Sequence, residues 1–466
     1  MSRNRFESLG SWLTVLVLGL CCADPAGARP VSTAGSLQRT VDPVVIPGET
    51  LGGLIGRQIE NIRVFALRDG RALPVPFQVD ERDSAGDWVW DVVYRRPPMA
   101  ESEGLQRPSP RRPVTYGWGT VDDQDPPGAP VLDANDVLVL MAEDLGDRSA
   151  TPSIAGAAST LEIEVTDRLR SEHGWAYVVW FRDAPPPLSE RRYMEYNRAR
   201  ETVRSPLYEF NVSDDHPALI RDLRINDRAL VERIRVRGEV DLSLPLPSRR
   251  IEFNEEDIHG YTQGYIAGPV RIVKRNIAHV SLSGGLITTR NLTCDHYYYP
   301  RHVEIPVCLS VRFPVREVAM TLTTDYSDPP FHRLYMGGAK RSGPPIAGDD
   351  SVRAHMHRLG REWIALESEE ASLISLMVTP EGLDGHADSQ PCLCRGRFES
   401  GGSAPGEETE AGFLLTVSAH CPRGDYVVYG IHVALARRYA PGDEDAALQL
   451  RDNRLTARVS EVASLH

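Results

Sequence analysis

The sequence predicts a mainly β protein: a large β-sandwich or supersandwich with a smaller N-terminal β region and few helices. Three observations predict it. First, apolar and polar residues alternate over short stretches, as where Leu161, Ile163 and Val165 alternate with Glu162, Glu164 and Thr166. A period of two is the strand period, because successive side chains point to opposite faces. Second, turn residues punctuate these stretches, with 38 glycines and 35 prolines in 466 residues. Third, helical periodicity is scarce. The best helix candidate is Asp443 to Leu450, where acidic residues lead the first turn.

The elements follow in order. Leu73 to Phe77 and Val137 to Met141 read as strands of the N-terminal region. Trp175 to Phe181 is aromatic and β-branched, the composition of a buried strand. Ile234 and Val236 alternate with arginines, and Val270 to Leu282 reads as a long strand. Further strands are expected at Val307 to Phe313, Val318 to Thr323, Ser372 to Val378, Phe413 to Ser418 and Tyr426 to Ala434. Long Pro-, Gly- and charge-rich loops separate them, the longest from Arg96 to Pro130. The small-residue stretch Ala150 to Ala158 marks a boundary. It divides an N-terminal β region (29–155) from a main sandwich domain (156–466).

Residues 1–28 read as a signal peptide. Arg3 and Arg5 precede an apolar run from Trp12 to Ala23, and Ala26-Gly27-Ala28 supplies an A-x-A-like cleavage site. The run is shorter than the roughly 20 residues that span a bilayer. No second apolar span follows, so the expected location is secreted or periplasmic. The net charge of −13 repels phosphate backbones, and no basic stripe offsets it, which excludes nucleic acid as a partner. Two lysines, Lys274 and Lys340, stand among 52 basic residues. Arginines are spread throughout, as a GC-rich codon usage produces.

Of seven cysteines, Cys21 and Cys22 fall in the signal, leaving five. An oxidising compartment makes disulfides the default. Cys294 and Cys308 would close a loop of about 15 residues, worth roughly 3 kcal/mol in the chain-entropy model. Cys421 is expected to pair with Cys392 or Cys394, leaving one thiol over.

Several clusters could carry chemistry. Glu255, Glu256, Asp257 and His259 combine acids and an imidazole ahead of Tyr261 and Tyr265. Paired carboxylates serve sugar chemistry as acid and base or nucleophile, and tyrosine faces stack on sugar rings. The bland reading of this stretch is a polar hairpin. Asp80, Glu81 and Asp83 pack charge at a strand end, as a polar-ligand site or as a solvated turn. Asp133, Asn135 and Asp136 form an oxygen-rich turn suited to calcium, to which Asp122, Asp123 and Asp125 could add ligands, although the spacing is not that of an EF-hand. His355 and His357 would share one strand face, the geometry of a two-histidine metal site, with Glu362 or Glu367 to complete it. Cys294, His296, His302 and Cys308 would suit zinc or copper if no disulfide forms. The chain lacks a G-x-S-x-G elbow, a P-loop, an H-E-x-x-H helix and a C-x-x-C-H haem site.

Three stretches, PVPFQVDERD at 74–83, LDANDVLVLMAEDLGD at 132–147 and GPVRIVKR at 268–275, resemble segments of uncharacterised secreted bacterial β-proteins. The last also resembles a strand of galactose-mutarotase-like supersandwich proteins, many of which handle sugars. No catalytic His and Glu pair of that family maps onto this chain. The resemblance implies a β-sandwich, secretion and a carbohydrate ligand. The leading expectation is an exported binding protein for a polar ligand, a glycan. The alternatives are a carbohydrate-active enzyme (lyase, hydrolase or epimerase) acting through the 255–259 cluster, and a structural or assembly protein of the cell envelope.

Overall fold

The computed structural model describes residues 32–95, 115–118, 130–150, 152–212, 220–242, 250–285, 287–289, 291–311, 315–325, 333–337, 363–379, 387–395, 409–421 and 424–462. The expected signal segment, His355 and His357, and Asp122, Asp123 and Asp125 lie outside them, as do the side chains of Cys308, Cys392, Cys394 and Cys421.

The described chain is mainly β. Near the N-terminus, a three-stranded sheet carries Pro43–Pro47, Val137–Met141 and Phe77–Asp80. A five-stranded sheet runs Thr456–Glu461, Ser159–Asp167, Glu172–Trp180, Ile62–Arg68, Arg71–Pro74. It therefore joins strands from both sides of residue 155 to a strand near the C-terminus. Val44, Ile46, Leu138 and Leu140 of the first sheet share one apolar core with Ile62, Val64, Ile163, Val165 and Val178 of the second. The alternation at 161–165 places Leu161, Ile163 and Val165 inside, as the period of two requires. The 172–180 strand is covered on both faces. Val178 faces that core, and Tyr177 and Val179 face a second cluster with Phe65 and Phe181. Two-residue hairpins close at Asp69-Gly70 and at Asn226-Asp227, all four at positive φ, the backbone that a right-twisted two-residue turn demands.

The other described strands build a sandwich. One layer is a long sheet in the order Arg333–Gly337, Trp363–Glu367, Ser372–Val378, Gly424–Leu435, His302–Val311, Leu292–Tyr298, Ile272–Leu282, Ile258–Ala267, Val92–Arg95, Thr115–Trp118. Two five-stranded sheets lie against it. One runs through residues 195–231, and the other joins strands 250–254, 233–242, 315–325, 409–421 and 387–395. Val203, Phe210, Ile234, Val236, Phe413 and Leu415 of these sheets meet Ile272, Ala278, Tyr298 and Val428 of the long sheet in one core. The expected helix spans Glu444–Asp452 and buries Ala447 and Leu450 against Trp363, Ile374 and Val433.

The three stretches singled out by resemblance meet in space. The 77–80 strand pairs with the 137–141 strand. Gln78 Oε1 accepts from the amides of Val270 (3.0 Å) and Arg271 (2.8 Å). A Cβ at Gly268 would sit 2.0 Å from that oxygen, so the glycine is what admits the side chain. Asp80 takes the Arg271 guanidinium at 2.7 Å inside the protein, and Tyr299 OH takes a second nitrogen at 2.9 Å. This joint pins the N-terminal sheet to the strand that carries the site described next.

Candidate functional site

The strand from Ile272 alternates its side chains between two faces. Ile272, Lys274, Asn276 and Ala278 share the inner face toward the sandwich core, and Val273, Arg275 and Ile277 share the outer one. Antiparallel register sets Lys274 opposite Tyr265 on one side and His296 on the other. It sets Asn276 opposite Thr262 and Cys294. Two adjacent polar rows thus cross an inner face that is otherwise apolar.

Lys274 is 1% exposed. A buried ammonium needs a counter-charge, and the turn between strands Glu195–Asn197 and Thr202–Arg204 provides it. Glu201 Oε2 accepts from Lys274 Nζ at 2.7 Å and from Tyr196 OH at 2.6 Å. Glu201 sits at φ +51°, a left-handed backbone that costs a non-glycine residue roughly 1–2 kcal/mol. Such strain clusters where a side chain must be aimed. Tyr196 meets Tyr265 edge-on, ring centres 4.3 Å apart, so two aromatic rings flank the ion pair. The Glu201 side chain remains 23% exposed, which gives the pair a path to solvent.

His296 is 1% exposed, and its Nε2 has no hydrogen-bond partner among the described residues. Its Nδ1 faces Tyr298 OH at 3.2 Å and Asn276 Nδ2 at 3.5 Å, while Thr262 OH donates to Asn276 Oδ1 at 3.0 Å. Burial, reinforced by the Lys274 charge, pushes the His296 imidazole down to about 3. The ring is neutral at physiological pH. A second imidazole, His432, bonds Ser375 Oγ through Nδ1 at 2.8 Å, and burial lowers it to about 4.

The backbone ladder beside this group is short. Strands 292–298 and 302–311 pair at Tyr297 with Glu304 and at Tyr298 with Val303, and at no further described position. His296 is the next residue past the last pair. On its other side strand 302–311 pairs Ile305 with Gly430 and Val303 with His432. Gly430 and His432 are both partly exposed.

The sequence-derived candidates distribute as follows. Tyr265 joins the row. Tyr261 does not, because a bulge between Thr262 and Gly264 shifts the register and sets Tyr261 opposite Ile277 on the other face. Glu255, Glu256 and Asp257 form a 3-10 turn. Asn254 caps it, Asp257 returns a bond to the Asn254 amide at 3.0 Å, and Glu255 pairs with Arg235 at 2.9 Å. His259 lies across from His279, ring centres 5.6 Å apart. This turn leads into the Ile258–Val280 pairing, six residues along the strand from Lys274, or about 20 Å at the rise of a strand. Asp80 is committed to Arg271. Glu81 stands beside it, and Asp83 accepts from the amides of Ala85 and Asp87 at the next turn. Asn135 donates to the carbonyls of Arg82 and Asp83, and Asp136 accepts from the amides of Arg82 and Asp133. Among the described residues, no group of three or more His, Cys, Asp or Glu side chains is arranged to hold a metal ion. Cys294 is buried in the second polar row. On the outer face, Arg275 binds Asp295 through two nitrogens (2.6 and 2.8 Å), and Trp88 Nε1 donates to the same carboxylate at 3.0 Å. His302 and Glu304 are a separate buried pair, reached by Tyr429 and the half-exposed Arg454.

Sequence reasoning missed Lys274, His296, Glu201, Tyr196, Asn276 and His432 as one group. A signal was present: K-x-N at 274–276 and C-x-H at 294–296 put polar residues at period two inside strand runs.

No family model matches the chain, and no curated protein matches it. Among solved structures it is similar to an alpha-mannosidase from Enterococcus faecalis V583, at 7% identity and a TM-score of 0.46, over 92% of this chain and 45% of that one. It is also similar to a protein in glycosyl hydrolase family 38 from Enterococcus faecalis, at 8% identity and a TM-score of 0.44, over 94% of this chain and 48% of that one. The chain spans under half the length of either. Neither is a galactose-mutarotase-like protein by its description, and likeness at this level carries no inference about activity.

Proposed function

We propose that this is an exported binding protein for a polar ligand, a glycan, and that the ligand meets the Tyr265–Lys274–His296 row and its cover of Tyr196 and Glu201. One observation carries the reading: a lysine is held inside the sandwich in an ion pair flanked by two tyrosine rings. Ion pairs of this kind are poor stabilisers, because desolvation consumes most of the Coulomb gain. A function-neutral core would place apolar side chains there. Aromatic faces beside a fixed donor and acceptor are the chemistry that grips sugar rings and hydroxyls.

Binding is favoured over glycoside hydrolysis. Two-carboxylate chemistry needs a second acid within about 5–10 Å of the first. Glu201 is hydrogen-bonded to the row, while Asp295 binds Arg275 on the opposite face. Export rests on the sequence of residues 1–28. A glycan array tests the function. The mature protein should bind a defined set of oligosaccharides, and Tyr196→Ala should weaken that binding at least tenfold. Silence across the array contradicts the reading.

A further inference from the structure

Two imidazoles stand beside the Lys274 row, each held through Nδ1 by a neighbouring side chain. Their hydrogen-bond networks say what they offer. Thr262 OH occupies Asn276 Oδ1, so Asn276 turns its Nδ2 toward His296 Nδ1. A nitrogen facing an N–H and a hydroxyl is the acceptor, which puts the hydrogen of His296 on Nε2. Ser375 Oγ engages His432 Nδ1 at 2.8 Å, which leaves Nε2 as the ring nitrogen on offer. His296 Nε2 is buried and unpartnered among the described residues. Burying an unmade donor is costly, and a ligand acceptor would remove that cost. His432 Nε2 lies 3.5 Å from where a Cβ would stand on Gly430, so it faces the space the glycine leaves on the inner face.

Charge decides the kind of acceptor. Lys274 and Glu201 cancel each other, and both imidazoles are neutral. The charged groups that act on His296 are Lys274 and Asp295, with His432 the other titratable neighbour. A carboxylate, sulfate or phosphate entering here would add an uncompensated charge to a low-dielectric interior. An oxygen of a hydroxyl or a sugar ring would not.

We infer that the inner face beside Gly430 takes an uncharged polyhydroxylated ligand, a neutral glycan, whose oxygens accept from His296 Nε2–H and whose hydroxyls bond His432 Nε2; this rests on the glycan reading above. Ligand hydroxyls then donate to Glu201, and the tyrosine rings take the apolar ring face.

The test compares neutral oligosaccharides (gluco-, manno- and galacto-hexaoses) with oligogalacturonates and sulfated oligosaccharides on one array, followed by calorimetry on the strongest hit. The decisive variant is Gly430→Ala. Its new methyl meets nothing nearer than 3.5 Å, so folding is unaffected, but it fills the space before His432. The expected result is binding of neutral oligosaccharides, at least tenfold tighter than of acidic counterparts. Gly430→Ala should weaken it at least tenfold with an unchanged melting temperature. Hits confined to acidic glycans, or a Gly430→Ala protein that binds as the wild type does, overturn this inference and leave the glycan reading standing. No binding to any member overturns both.

Discussion

Lys274 Nζ and Glu201 Oε2 meet at 2.7 Å inside the sandwich, although 73 positions separate them in the chain. The pair ties the long sheet to the hairpin that covers it. Lys274→Met should leave the Glu201 carboxylate without its counter-charge. Because Glu201 retains some solvent, the cost is about 2 kcal/mol, below that of a fully buried pair. Glu201→Gln in the same background should recover part of the loss. Urea denaturation of the two single variants and the double variant closes the cycle.

Asp80 and Arg271 are the contrasting case, with both side chains at most 4% exposed. Asp80→Asn strands a guanidinium that also bonds Tyr299, and should cost about 3–5 kcal/mol. Replacing both, as Asp80→Leu with Arg271→Met, should cost less than Asp80→Asn alone. Equilibrium unfolding of these variants measures the order directly.

Burial pushes the Asp144 carboxyl up to about 6, against the lowering effects of Tyr193 OH (2.9 Å) and Arg191 (3.3 Å). For an acid whose native value lies above its unfolded value near 3.8, the native state holds the proton more tightly. Its contribution is most favourable below about pH 4 and is lost as pH rises through 6. Asp144→Asn removes this dependence. Stability profiles of wild type and variant should diverge between pH 4 and 6, by up to about 3 kcal/mol at two pH units of displacement.

His296 and His432 give the opposite sign. Both are displaced below the ordinary value of 6.5, to about 3 and about 4. The unfolded chain takes up protons that the native state refuses, so stability falls as pH drops below 6.5. A His296→Phe, His432→Phe double variant should show a flatter acid limb than the wild type. Denaturation midpoints from pH 7 to 4.5 provide the check.

The β class, the strand at 161–165 and the helix near 444 were legible because each rests on local periodicity. The polar row was not, because its members come from strands at 258–267, 272–282 and 292–298 and from a hairpin at 195–204. Register, which long-range pairing sets, is what aligns Tyr265, Lys274 and His296. The stretch Cys294 to Tyr299 reads as a mixed metal or disulfide cluster in one dimension. Folded as a strand, it sends Cys294, His296 and Tyr298 inward and Asp295 and Tyr297 outward. The bulge at 262–264 is equally invisible in composition, yet it separates Tyr261 from Tyr265.

Hydrogen–deuterium exchange with and without the strongest neutral oligosaccharide tests the central claim most directly, because it reads where the ligand sits. The account predicts slowed exchange in 195–204, 262–276 and 292–298, and in the strand around Gly430, with the 255–259 turn and residues 80–88 unchanged. Protection centred on 255–259 or on 80–88, with the Lys274 row unaffected, would contradict it.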